Sequence, residues 1–174
     1  MNLPKRKQNR LNNYDYGQNG CYFITVCTKD RKKILSKIVT PDGNNETSLT
    51  PRVGADIIRP PKIVLSRYGK IVDDAIKNIE NVYDNISISK HVIMPDHIHL
   101  IIKIDDDKNG RMVSAPTVVA GMKRYVSKKC GFPIWQKGFY DHVIRDQNDY
   151  NEKCEYIENN PTKRAIIKTD KTVE

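Results

Sequence analysis

Apolar and polar residues alternate in some stretches of this chain and recur every three or four positions in others. Residues 21–28, CYFITVCT, are dense in β-branched and aromatic side chains and predict a strand. Between residues 65 and 83 the apolar positions are Leu65, Tyr68, Val72, Ala75, Ile76, Ile79, Val82 and Tyr83, the steps of an amphipathic helix. A strand over 86–94 and another over 97–104 are separated only by Pro95 and Asp96, so the two predict a hairpin. Pro116 opens a second helix, continued by Val118, Val119, Met122, Tyr125 and Val126 to a stop at Gly131. Residues 134–144, IWQKGFYDHVI, predict a fourth strand. Asp149 and Glu152 then form a capping box for a last helix that Pro161 closes.

The order β-α-β-β-α-β-α describes an α+β fold. Its first six elements match a ferredoxin-like βαββαβ arrangement, an antiparallel sheet with helices on one face. The added C-terminal helix must lie on or beside that sheet. The remaining segments are polar: a basic arm over 1–19, a loop insertion rich in Pro, Gly, Asn and Thr over 40–62, a turn over 105–110 and a tail over 162–174. At 174 residues the whole reads as one domain.

Strand periodicity gives the first chemical signal. Ile98, Leu100, Ile102 and Ile104 share one face and belong to the core, so His97 and His99 project together from the other, toward solvent or a ligand. Two imidazoles so placed can chelate one divalent ion, and surface histidines without a ligand are the plain alternative. His91 and His142 read as structural or supporting residues.

The last helix gives the second signal. Tyr150, Cys154 and Ile157 form a stripe facing the core, whereas Tyr156 lies about 120° away with Asp149, Glu152 and Asn160. Core burial does not explain a tyrosine there; an exposed or interface tyrosine would. A phenol is a weak nucleophile at neutral pH, but a divalent ion that polarises a phosphate makes in-line attack on it feasible. Asn160, four residues after Tyr156, can supply an amide oxygen as a third ligand. Two histidines and one amide oxygen leave open positions for phosphate and water, which suits Mg or Mn better than structural zinc. Pro161 biases Asn160 away from helical geometry, so helix phase does not fix its direction.

Charge then narrows the partner. The net charge of +9 favours a polyanion, with a solvated basic surface as the alternative. Candidate contacts with DNA are Lys5, Arg6, Lys7 and Arg10 in the arm and Lys123, Arg124, Lys128 and Lys129 on the second helix, with Phe139 and Tyr140 available for base stacking and Trp135 either a stacking or, at least equally, a core residue. The four cysteines show no CxxC spacing, which argues against a zinc knuckle or redox motif. No apolar run approaches the ~18 residues of a membrane span, and the basic N-terminus has no apolar segment behind it, so a cytoplasmic protein is expected.

Taken together, VIMPDHIHLII over 92–102, WQKGFYDHVIRD over 135–146 and DYNEKCEYIENNPTKR over 149–164 closely resemble the single-tyrosine transposases of the HUH nuclease superfamily. The resemblance is to the REP-associated tyrosine transposase branch and covers residues 14–164 apart from the insertion. It implies that His97 and His99 are metal ligands, Asn160 the third ligand and Tyr156 the nucleophile. It also implies cleavage and rejoining of single-stranded or hairpin DNA through a 5′-phosphotyrosine and a free 3′-OH. In related transposases the tyrosine helix can be exchanged within a homodimer, and monomer and dimer both stay open here. A non-catalytic single-stranded nucleic-acid-binding protein on the same fold is the alternative from another class.

Overall fold

The computed structural model describes residues 16, 18–39, 60–105 and 113–169, with side chains to residue 165. In chain order the elements are β1 (Gly20–Cys27), a 3-10 turn (Lys29–Arg31), β2 (Ser36–Val39), β3 (Lys62–Leu65), α1 (Arg67–Lys77), α2 (Ile79–Val82), β4 (Ile86–Ile93), β5 (His97–Ile104), α3 (Ala115–Cys130), β6 (Tyr140–Ile144) and α4 (Gln147–Thr169). Strands β4-β5-β1-β6 form one antiparallel sheet in that order, so the ferredoxin-like reading is borne out.

One face of the sheet carries the main core. Tyr22, Ile24 and Val26 of β1 and Ile98, Leu100, Ile102 and Ile104 of β5 pack against Val72 and Ile76 of α1 and Val118, Val119, Met122 and Val126 of α3. Both helices are capped as their sequences dictate. The Ser66 hydroxyl accepts from the amides of Tyr68 and Gly69, and Ser114 caps α3, which ends on Gly131 in the left-handed region at φ 81°. Gly69 permits a close approach: a Cβ there would lie 2.1 Å from the Leu35 carbonyl oxygen.

Four boundaries differ from expectation. The helix over 65–83 is two helices, because Leu65 belongs to β3 and the chain turns at Asn78 between α1 and α2. The insertion ends earlier than expected, since Lys62 opens β3, which pairs with β2 in a small separate hairpin; residues 40–59 lie outside the described part. Of the strand over 134–144 only Tyr140–Ile144 forms. Ile134 and Trp135 turn into the core instead, Trp135 bridging to Thr28, and Gly138 takes φ 82°.

The last helix is both earlier and longer than expected. Its first turn is capped by Asp146, whose Oδ1 accepts from the Asp149 amide at 2.9 Å. Asp149 lies within the helix, and its carboxylate instead accepts from His142 and the Arg145 amide. Pro161 does not close α4, which continues to Thr169, so 162–169 is helix rather than tail. An interior proline forfeits one amide donor and costs about 3 kcal/mol. Beyond it Arg164 reaches Asp96, in the turn between β4 and β5, at 2.9 Å, a contact that works against that cost.

Helix α4 packs over β4 and β5 on the face opposite α1 and α3. That placement makes the site.

Candidate active site

On β5, His97 and His99 flank Ile98 and share the face that α4 covers; their ring centroids are 4.6 Å apart. Strand alternation alone faces them toward solvent or a ligand; it is not solvent, because α4 covers that face and leaves them 5% and 4% exposed.

Each imidazole is oriented by its Nδ1. For His97 the partner is Asp96 Oδ1 at 2.8 Å, and for His99 it is Thr25 Oγ1 at 2.8 Å. Thr25 stands opposite His99 in the β1–β5 register, which is why its hydroxyl reaches. With Nδ1 so engaged, Nε2 is the nitrogen left for a ligand on each ring. His99 Nε2 is buried without a hydrogen-bond partner among the described residues. An orphaned polar atom of this kind costs about 1–3 kcal/mol. A divalent cation would satisfy it, so the residues fit a metal.

Burial first, and then the charges of His97, Arg31 and Arg164, depress the His99 pKa from 6.5 to about 3. The ring is therefore neutral at pH 7, the state a metal needs. Asp96 responds oppositely. Burial alone would raise its pKa, but the hydrogen bonds and charges of His97 and Arg164 outweigh it and hold the carboxyl well below its ordinary value.

Tyr156 meets His99 edge-on, ring centroids 5.1 Å apart. Phe23 stacks on His99 at 5.2 Å and meets Tyr156 edge-on at 5.8 Å, so the three rings form one cluster. Tyr156 remains 41% exposed, on an open groove of about 410 Å³ that Phe23, Lys153 and Lys163 also line. Asn160 follows one helical turn later and, unlike its expected polar-face neighbours, is buried together with Ile157. Among the described residues no three or more His, Cys, Asp or Glu side chains gather as a metal site.

Other candidates fall elsewhere. Lys5, Arg6, Lys7 and Arg10 lie outside the described residues. Arg124, Lys128 and Lys129 are exposed on α3, across the sheet from the paired histidines. Lys123 is tied up: its ammonium donates to the carbonyls of Gln136 at 2.8 Å and Gly138 at 2.6 Å, an anchor for the irregular segment before β6. Trp135 is 7% exposed in the core and cannot stack bases, whereas Tyr140 is exposed. His91 pairs with Asp73 and His142 with Asp149, both structural.

Sequence reasoning missed Phe23, Thr25, Asp96 and Arg164. Strand register would have found Thr25, and adjacency to His97 flagged Asp96. Arg164 is legible as the residue eight after Tyr156 only once α4 is known to pass Pro161.

No protein-family model matches the chain. A Haemophilus influenzae protein of uncharacterised function is 28% identical over 91% of this chain and 89% of its own length. An Escherichia coli REP-associated tyrosine transposase is 33% identical over 47% of each, so the aligned part spans about half of that relative. Among solved structures, a REP-associated tyrosine transposase bound to a REP hairpin superposes with a TM-score of 0.58 at 21% identity, over 84% of this chain and 69% of that one. At that identity the likeness establishes the shared fold.

Proposed function

Because this chain is related in sequence and in fold to the REP-associated tyrosine transposases, we propose that it cleaves and rejoins single-stranded DNA, reading its substrate as a hairpin, with Tyr156 as nucleophile. The Tyr156 hydroxyl oxygen attacks a backbone phosphorus in line, loses its proton to solvent and forms a P–O bond. The P–O3′ bond breaks, and the departing 3′ oxygen takes up a proton from water. The products are a 5′-phosphotyrosine and a free 3′-OH. Attack by a 3′-OH on the phosphotyrosine reverses the exchange, so strands rejoin without ATP.

His97 Nε2, His99 Nε2 and the Asn160 amide oxygen would hold a Mg or Mn ion, which supplies charge stabilisation at the phosphate in the transition state. Asp96 keeps the His97 ring in the tautomer that presents Nε2, and Thr25 holds the His99 ring through its Nδ1. Phe23 packs against both Tyr156 and His99 and fixes the angle between them. Lys163, on the same groove as Tyr156, offers a cation to the strand backbone.

The observation that carries this reading is the edge-on contact of Tyr156 with His99 of the same chain. Purified protein with Mn should become covalently attached to a hairpin-bearing single-stranded oligonucleotide, seen as a shifted band on a denaturing gel. Tyr156→Phe should lose the adduct and keep binding; an adduct persisting in that variant would overturn the assignment.

A further inference from the structure

Among the described residues Asp96 is the one buried carboxylate, 4% exposed. A carboxylate removed from water must be paired, and here the pairing is concentrated. Oδ1 takes both the His97 Nδ1 contact at 2.8 Å and Arg164 Nη2 at 2.9 Å. Oδ2 lies 3.8 Å from Arg31 Nε. The Asp96 backbone is fixed as well, because its carbonyl accepts from the Thr28 amide at 3.0 Å and the Thr28 hydroxyl at 2.9 Å. The group is thus mounted on the sheet and shared between an imidazole of the site and the tyrosine helix.

Helix α4 needs such a tie. Only Ile157 and Asn160 of its described side chains are buried, so apolar burial holds it weakly. Its other charged contacts to the sheet, Lys90 with Glu158 and His142 with Asp149, each have an exposed partner, and the second lies at the start of the helix, seven residues before Tyr156. Tyr156, Asn160 and Arg164 recur every four residues and lie along one side of the helix, Arg164 about 12 Å beyond Tyr156. A fixed contact at Arg164 sets both the rotation and the axial position of that side.

We propose that Asp96 and Arg164 are positioning residues: the carboxylate that orients His97 also seats the tyrosine helix, bringing Tyr156 into register with the histidine pair. This deepens the tyrosine-transfer reading and rests on it. One side chain then sets two geometries, and the two can be separated by which end is cut.

Arg164→Ala removes only the helix end. It should slow formation of the covalent adduct roughly 10- to 100-fold, the scale of a small misplacement of a reacting group. Binding of the oligonucleotide should stay within about twofold, and Mn binding should fall by less than the adduct rate, since the histidines keep their partners and only Asn160 moves with the helix. Amide hydrogen exchange in α4 should accelerate, and Arg164→Lys should recover part of the rate. Asp96→Ala cuts both ends and should also weaken Mn binding by about tenfold or more. Lys90→Ala, which breaks the exposed pair, should leave the adduct rate unchanged. An Arg164→Ala protein with the wild-type adduct rate and wild-type exchange in α4 would overturn the proposal. So would one whose Mn affinity falls as far as its rate. If wild-type protein forms no adduct at all, the transfer reading fails, while exchange in α4 still decides whether Arg164 seats the helix.

Discussion

The two faces of one strand, β5, are closed in different ways. Ile98, Leu100 and Ile102 are wholly buried under α1 and α3, apolar against apolar. His97 and His99 are almost as deeply buried on the other side, yet α4 covers them with few apolar contacts and leaves a ring nitrogen unsatisfied. Depth is similar; chemistry is not. The first face lowers the free energy of the fold, and the second carries the cost of an unpartnered buried nitrogen. Strand alternation lets one eight-residue segment do both.

Truncation should expose that asymmetry most strongly. Leu100→Ala should destabilise the protein by about 2–5 kcal/mol in urea unfolding, as for other large-to-small core changes. His99→Leu keeps an apolar side chain of similar size and removes the orphan nitrogen, so metal-free stability should change by less than about 1 kcal/mol. Comparable losses at both positions would mean that the histidine face is an ordinary core.

A cation should reverse the cost at the second face alone. Mn at about a hundredfold over its dissociation constant should raise the unfolding free energy of wild-type protein by about 2.7 kcal/mol, and a chelator should remove the gain. In His99→Leu the same Mn should do nothing measurable. Equal stabilisation of both proteins would place the ion elsewhere.

Acid should weaken the second face before the first. In the folded chain His99 stays neutral down to about pH 3, whereas the unfolded chain takes up a proton at the ordinary value of 6.5. Between those values the unfolded state binds more protons, so stability falls as pH falls. The contribution is fully present above 6.5, and lowering the pH from 7 to 5 should cost about 2 kcal/mol in metal-free protein. His99→Leu should lack that part of the slope. The Asp96 contribution is lost later, as pH falls below its ordinary carboxylate value of 3.8.

The closed face was legible in the sequence, and the second face only in outline. The alternation of Ile98, Leu100, Ile102 and Ile104 and the helical spacing of Val118, Val119, Met122 and Val126 report burial directly, because apolar period is what burial selects. The spacing of His97 and His99 was equally visible, but not that a helix covers them. A sequence shows which side chains share a face and not what lies over it. Helix phase likewise put Asn160 among polar neighbours, whereas α4 turns it inward beside Ile157. Pro161 read as a stop because local cost is visible in sequence, while the compensating contact between Arg164 and Asp96 spans the fold. Thr25 and Phe23 reach the site by strand register, which no local pattern encodes.

The smallest expected effect concerns the basic residues on α3. Lys128 and Lys129 are exposed on the layer that closes the first face, with the whole sheet between them and Tyr156. A single strand of about four nucleotides seated on the groove beside Tyr156 meets Lys163 there, with the sheet between it and α3. Replacing both lysines with alanine should therefore change its affinity less than about twofold and leave the salt dependence of binding nearly intact, since each lost phosphate contact would lower the slope by about 1. Lys163→Ala, on the groove itself, should weaken the same oligonucleotide more than the double replacement does. The reverse order, with the α3 pair dominating, would mean that the strand runs over the helical layer. The division of labour between the two faces would then need to be redrawn.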